Sequence, residues 1–276
     1  MVQSPAGDSG GAGPQRPVVV AIGASNLSRG LSRLAAVSQV WAGGPIDLVI
    51  AAGHGRSYGA NSRVWNRRLP SVLGCGLWRS LDRLLDAEAA AVQRRVAVLT
   101  DIGNDLLYGF SVAQLASWVE ETLVRLRQRG FRVAVTRLPL ASIATVGPFR
   151  YRLLKTLFVP GCPLSLEQIK DRSAAIDQAV VHLAAEQTAA VIDQPAAWYG
   201  VDAIHVQRQR LDELWQSAVN AWEDNAAADR TPADHSWLTW ARVGSAAAEV
   251  RSLNHMMRFT PQPVVQLPDS TRVFLY

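Results

Sequence analysis

Four short segments, each with polar or small residues, occur in one order along a chain of 276 residues. The first three each come after an apolar run. They are Gly23-Ala24-Ser25-Asn26, Gly53-His54-Gly55-Arg56-Ser57, Gly103-Asn104-Asp105 and, much later, Asp202-Ala203-Ile204-His205. Together they hold a hydroxyl nucleophile, two candidate donors for a developing oxyanion, and a carboxylate near an imidazole base. Those are the parts of an acyl-transfer site, where a serine attacks a carbonyl, a histidine moves the proton and N–H groups hold the charged oxygen.

Each segment also has a plainer reading. Ser25 follows an apolar run and precedes a helical pattern, so its hydroxyl would stand at a strand's carboxyl end, near first-turn amides that favour negative charge. The same position suits a helix cap, by Ser25 or Asn26, or a phosphate-cradling turn. Gly55 lacks a side chain and lets a backbone N–H approach a substrate oxygen; Gly53 could do so equally, and either could be an ordinary turn glycine. The Asn104 amide can donate into the same crevice while Asp105 anchors the loop to backbone amides, or the pair can form an Asx turn. Asp202 and His205 are three apart, so a helical turn would put them on one face, with Asp202 fixing the imidazole tautomer. A capping Asp beside a partly exposed His is the ordinary alternative. A metal could enlist His54, Asp101, Asp105 and His205, but these lack the His/Cys spacing of a dedicated site. Arg56 could bind an anionic substrate or brace a loop.

In their order, the four segments resemble the blocks of the SGNH hydrolases, also called GDSL-type esterases and lipases, over roughly residues 17–210. The resemblance implies a flavodoxin-like three-layer α/β/α sandwich with a central parallel sheet. It implies Ser25 as nucleophile, His205 as general base and Asp202 as the residue orienting that base. The oxyanion would rest on the Ser25 amide, the Gly55 amide and the Asn104 side chain. Gly55 is preferred to Gly53 because Gly55-Arg56-Ser57 continues the family's pattern of glycine, polar residue, then Ser or Thr. Ala24 stands where the family often has Asp, Ile102 stands at the first glycine of Gly-x-Asn-Asp, and the chain runs far beyond His205. The implied activity is hydrolysis of carboxylic esters, with a small O-acyl group such as acetyl on a polar scaffold. The expected partner is a small-molecule or carbohydrate ester, and no metal or organic cofactor is expected. An O-acyltransferase would share the acyl-enzyme, and a non-catalytic binding protein that kept the fold is the alternative from another class. A nucleotide-binding domain is disfavoured, because no complete Gly-x-Gly-x-x-Gly or Gly-Lys-[Ser/Thr] loop follows the first apolar run.

The elements that must position these residues are legible as an alternation. Strands are expected at Val18–Ile22, Ile46–Ala51, Val96–Thr100, Arg132–Thr136 and Ala189–Ile192, with helices near 27–42, 76–91, 111–129 and 165–187. Ser111 can cap the third helix, Gly130 can end it, and Ser165 precedes the fourth. Continuous apolar strands separated by helices argue for a parallel sheet covered on both faces, with ligand groups at the strands' carboxyl ends. Beyond His205 a helix is expected over 207–225, then a Trp-containing stretch, 234–251. Two short strands, 264–267 and 272–275, follow around Pro268-Asp269-Ser270. Trp215, Trp222, Trp237 and Trp240 are expected as buried packing. The organisation expected is a disordered leader (1–16), a main domain (17–228) and an extension packed on it (229–276). Gly59–Ser80, with Trp65 and Trp78, and Pro148–Pro163 are candidate pocket walls, or ordinary packing.

Hydrophobic residues make up 49% of the chain and charged ones 18%, enough for one well-buried α/β domain. Residues 1–16 lack the apolar core of a signal peptide, and no run reaches the length of a membrane span, so a cytoplasmic location is expected. Cys75 and Cys162 show no metal or redox spacing and are expected as reduced structural thiols. The net charge is +5, mostly from arginine. Clusters such as Arg125/Arg127/Arg129 suit a helix C-terminus better than a nucleic-acid surface, and no nucleic-acid motif accompanies them. Oligomeric state is not legible.

Overall fold

Five consecutive apolar residues, Val18–Ile22, form strand β1 and are completely buried. Next come α1 (Ser25–Ala42), β2 (Asp47–Ala51), β3 (Ser62–Val64), β4 (Arg67–Leu69), α2 (Leu77–Asp86) and β5 (Arg95–Leu99). The middle holds α3 (Asn104–Leu107), α4 (Val112–Gln128), β6 (Arg132–Thr136), α5 (Leu140–Ala144), α6 (Pro148–Phe158), α7 (Leu166–Glu186) and β7 (Ala190–Ile192). The last part contains α8 (Leu211–Trp222), α9 (Trp237–Gly244), β8 (Val250–Leu253), β9 (Met256–Phe259), β10 (Val265–Gln266) and β11 (Arg272–Leu275). The computed structural model describes residues 16–64, 67–86, 94–223, 237–253 and 256–276. The expected leader, apart from Arg16, and Trp65 lie outside these residues, as do the side chains of Trp237 and Trp240.

The main sheet has seven strands in the order β10-β11-β2-β1-β5-β6-β7. Its core, β2-β1-β5-β6-β7, is parallel, and counting only those five gives the 2-1-3-4-5 order of flavodoxin-like sheets. Side chains alternate across the sheet, which produces two cores and hence three layers. Val18, Val20 and Ile22 join Leu77 and Leu81 of α2, Leu115 and Val119 of α4, and Ile176 and Val180 of α7. Val19 and Ala21 join Leu27 and Leu34 of α1 and Leu214 and Trp215 of α8 on the other face. Ser111 and Ser165 each close a capping box, with Gln114 and Gln168, and start α4 and α7 as the sequence suggests.

Residues beyond His205 enter both sheets. The terminal strand β11 adds to the free side of β2 in parallel, Arg272 opposite Asp47, and the pair is locked by the Arg272 guanidinium on the buried Asp47 carboxylate. β10 folds back on β11, and β8 and β9 extend the β3–β4 pair into a second, antiparallel sheet. Trp222 is buried, donates to the Ala97 carbonyl at 2.9 Å and packs edge-on against Trp41. Arg125 and Arg129 lie over the Trp78 ring, and Arg129 also pairs with Asp82, so these two cations serve packing at the end of α4. Among the described residues no helix is long and apolar enough to cross a membrane.

Candidate active site

β1 sits between β2 and β5, with Ile22 opposite both Ala51 and Leu99, so three loops leave the sheet side by side at its carboxyl edge. Those loops carry Ser25, Gly55 and Asn104. This is the switch point of a doubly wound sheet, where the chain diverges and leaves a crevice.

Ser25 is the first residue of α1 and is buried, 9% exposed. The helix has no acidic residue in its first turn and no capping side chain from Ala24. A carboxylate from the end of the neighbouring strand takes that role. Asp101 accepts from the amides of Ala24 (2.7 Å), Asn26 (3.1 Å) and Leu27 (3.3 Å), and passes over that of Ser25. Much of the helix's positive end is therefore already answered by Asp101, which leaves the Ser25 amide as the local donor for a second anion. Asp101 holds a left-handed backbone, φ 58°, to reach this position.

Asn26 joins the Ser25 loop to the His205 loop. Its Nδ2 donates to Asp101 (2.7 Å) and to the Ile204 carbonyl (3.0 Å), while its Oδ1 accepts the Val206 amide (2.9 Å). The reading of Ser25 or Asn26 as a simple helix cap is replaced by this cross-link.

Asp202 Oδ2 lies 2.7 Å from His205 Nδ1, the contact expected from their spacing. The backbone that produces it is not the helical turn expected. Ala203 adopts φ 63°, and Asp202 Oδ1 accepts the amides of His205 (2.9 Å) and Ile204 (3.3 Å), which makes an Asx-type turn. The loop is closed by a bridge between Tyr199 and Val206 and by the Gln207 amide on the Trp198 carbonyl. Burial pushes the Asp202 carboxyl up, but hydrogen bonds from the His205 ring and backbone, with the imidazole charge, outweigh it and hold the group below its usual value.

Asn104 begins α3, and its Nδ2 is buried without any hydrogen-bond partner. The next residue anchors the turn. Asp105 is completely buried and accepts the Ser57 hydroxyl and, at 3.1 Å, the Tyr58 amide. Burial raises its carboxyl from the usual value, and those two hydrogen bonds partly offset the rise. Tyr108 of the same segment donates to the Gly55 carbonyl at 2.5 Å. The Asn104 and Gly55 loops are thus bolted together. Gly55 has φ 68°, a conformation that explains glycine there, whereas a Cβ on Gly53 would come within 2.6 Å of Leu69. Arg56 is a brace: it is buried and donates to the carbonyls of Ala52 (3.1 Å) and Tyr276.

These loops border a cavity of about 130 Å³ whose wall includes Ser25, Asn26, Asn104 and Asp202, but neither Gly55 nor His205. Pro148–Pro163 contributes to the wall through Tyr151, Leu154, Lys155, Val159 and Cys162, whereas the described residues of Gly59–Ser80 do not. Among the described residues no group of three or more His, Cys, Asp or Glu side chains could hold a metal ion, and Asp101 and Asp105 place their oxygens on N–H and O–H donors. Both cysteines are free and buried.

No protein-family profile and no curated protein matches this sequence. Solved structures similar to it include the psychrotrophic esterase EstA from Pseudoalteromonas sp., at 14% identity and a TM-score of 0.45, over 75% of this chain and 99% of that one. TesA matches at 16% identity and a TM-score of 0.44, over 82% of this chain and 99% of that one. An acetyl xylan esterase, AlAXEase, matches at 12% identity and a TM-score of 0.41, over 72% and 96%. Likenesses of this extent transfer no residue role and no substrate.

Sequence reasoning did not find the positioning roles of Asn26, Asp101 and Tyr108. One signal pointed to Asp101: it stands two positions after the apolar run Val96–Leu99, at the mouth of the strand next to β1, while the first turn of α1 lacks any acid of its own.

Proposed function

We propose that the chain is a serine hydrolase of SGNH type that cleaves carboxylic esters through an acyl-enzyme on Ser25. The carrying observation is the Asn104 Nδ2, a buried donor without a partner on the wall of the cavity that Ser25 also lines. A buried N–H left unpaired costs on the order of 1–3 kcal/mol, so an orphan at such a place marks a donor kept for a ligand. The Asp202–His205 contact and the order of the four motifs support the same reading. In the reaction His205 takes the Ser25 proton as Oγ attacks the carbonyl carbon. The oxyanion rests on the Asn104 amide, the Ser25 N–H and the Gly55 N–H. His205 then protonates the departing alcohol and activates a water that releases the acid. Asp202, ionised, holds the ring with Nδ1–H toward itself and leaves Nε2 for the proton.

Intact-mass analysis after treatment with a fluorophosphonate tests this. One adduct on the parent and none on Ser25→Ala is the expected result. A folded parent that takes up no adduct, with no ester cleaved, overturns it.

A further inference from the structure

We infer that the cavity beside Ser25 is an acyl-chain site, and that the acid part of the substrate is an apolar chain of medium length. This rests on the ester-hydrolase reading. Away from its polar rim, the wall is built from Leu138 after β6, Ile143 of α5, Leu154 of α6, Val159, and Leu166 and Ile169 of α7. Most polar side chains on the wall are taken up within the protein: Tyr151 donates to the Leu164 carbonyl at 2.7 Å, Arg137 pairs with Asp177, Tyr199 donates to Gln194, and Gln194 donates to the Arg137 carbonyl, while Lys155 gives one N–H to Leu164 at 3.3 Å and Ser173 also lines the wall. With most of its polar groups committed, this part of the wall offers a sugar hydroxyl few partners, whereas an alkyl chain needs none.

Size points the same way. A cavity of about 150 Å³ takes up a six-carbon ring, so 130 Å³ has room for a chain of about five or six carbons. The methyl of an acetyl ester, expected from the sequence, would leave most of that space unfilled, whereas an acyl group of about six to eight carbons, its carbonyl at Ser25 outside the recess, would fill it. Direction follows from the chemistry. The alcohol that leaves and the water that replaces it both need His205 and solvent, and an apolar recess serves neither. The acyl chain, which stays on Ser25 between the two steps, is the part the recess holds.

The test is a series of p-nitrophenyl esters from acetate to palmitate. kcat/KM is expected to rise roughly three- to fourfold per methylene up to about octanoate, then level or fall. Leu154→Trp, and separately Ile143→Trp on another helix, should each lower the octanoate-to-acetate ratio at least about tenfold, a ratio that partial unfolding does not move. An acetate optimum, or a flat series, overturns the inference. If no ester is cleaved and no fluorophosphonate adduct forms, the hydrolase reading fails by itself. Calorimetry with octanoate then decides the cavity: binding that Leu154→Trp weakens sustains the chain site, and no binding removes it.

Discussion

On one side of the crevice, Asp105 is completely buried, holds Ser57 and Tyr58, and with Tyr108 fixes Asn104 to the Gly55 turn. On the other side, the Asp202 and His205 side chains keep 29% and 16% of their surface exposed, on a turn that depends on a left-handed alanine. Asn26 supplies the side-chain link between that turn and α1. The proposed oxyanion side is therefore built into the sheet's edge, while the proposed base side is a turn tied to its neighbours by side chains, Asn26 of α1 and Arg150 of α6, which donates to the Gly200 and Val201 carbonyls. Rigid donors suit a charge that must meet them at a fixed place. A base that must turn from serine to leaving group and then to water needs orientation more than enclosure.

The largest effect should come from the residue both sides serve. Ser25→Ala is expected to lower ester turnover by about 10⁵–10⁶-fold, measured as kcat on the preferred p-nitrophenyl ester. Asp202→Asn keeps the shape of the base side but lets the ring take the wrong tautomer, for a loss of about 10⁴-fold in kcat. Asn104→Ala removes one preorganised donor, with kcat down by about 10²–10³-fold and KM little changed. Full activity in that variant would strip Asn104 of its role. Asn26→Ala sharpens the contrast: it touches no reacting atom, yet displacement of the His205 loop should cost up to about 10²-fold in kcat. If fluorophosphonate labelling of Asn26→Ala runs at the parent's rate, the base side is held by something else.

The smallest effect is in stability against pH, where the two carboxylates should act with opposite signs. Asp202 is held below its unfolded value, so its contribution is complete above the ordinary carboxylate range, about pH 4, and is lost as pH falls through the lower folded value. Asp105 is held above its unfolded value, so its contribution is present in acid and is lost as pH rises through the higher folded value. Melting temperatures from pH 3 to 8 should show a shallower acid limb in Asp202→Asn and a shallower decline on the other side in Asp105→Asn. Curves parallel to the parent's in both variants would erase the distinction.

What was legible in the sequence was local. The Val18–Ile22 run, the capping serines at 111 and 165 and the spacing of Asp202 and His205 all act over a few residues, and each left its mark in composition or period. The hidden parts act across the chain. Asp101 caps a helix 75 residues away in sequence, and Asn26 holds Val206 across 180. No periodicity encodes such contacts, since they exist only once the strand order has brought the loops together. The turn at Asp202 was misread for another reason: an i,i+3 pair fits a helical turn, but Ala203 in a left-handed conformation reaches the same contact, and alanine carries no warning of it. The two terminal strands were legible as a pair, while the partner of β11 was not, because β2 lies 225 residues earlier.

That distant pairing gives the molecule an order of assembly in time. Ribosomes deliver β2 early, yet its outer edge has no partner until residues 272–275 emerge, and Arg56, in the turn after β2, meets the Tyr276 carbonyl only then. Every proposed catalytic residue is already synthesised by position 205. A nascent chain halted between 205 and 272 thus carries the full set of reacting groups and an open strand edge available to neighbours. The Gly55 turn, whose Arg56 precedes Tyr276 by 220 residues, is among the last parts of the candidate site to be braced.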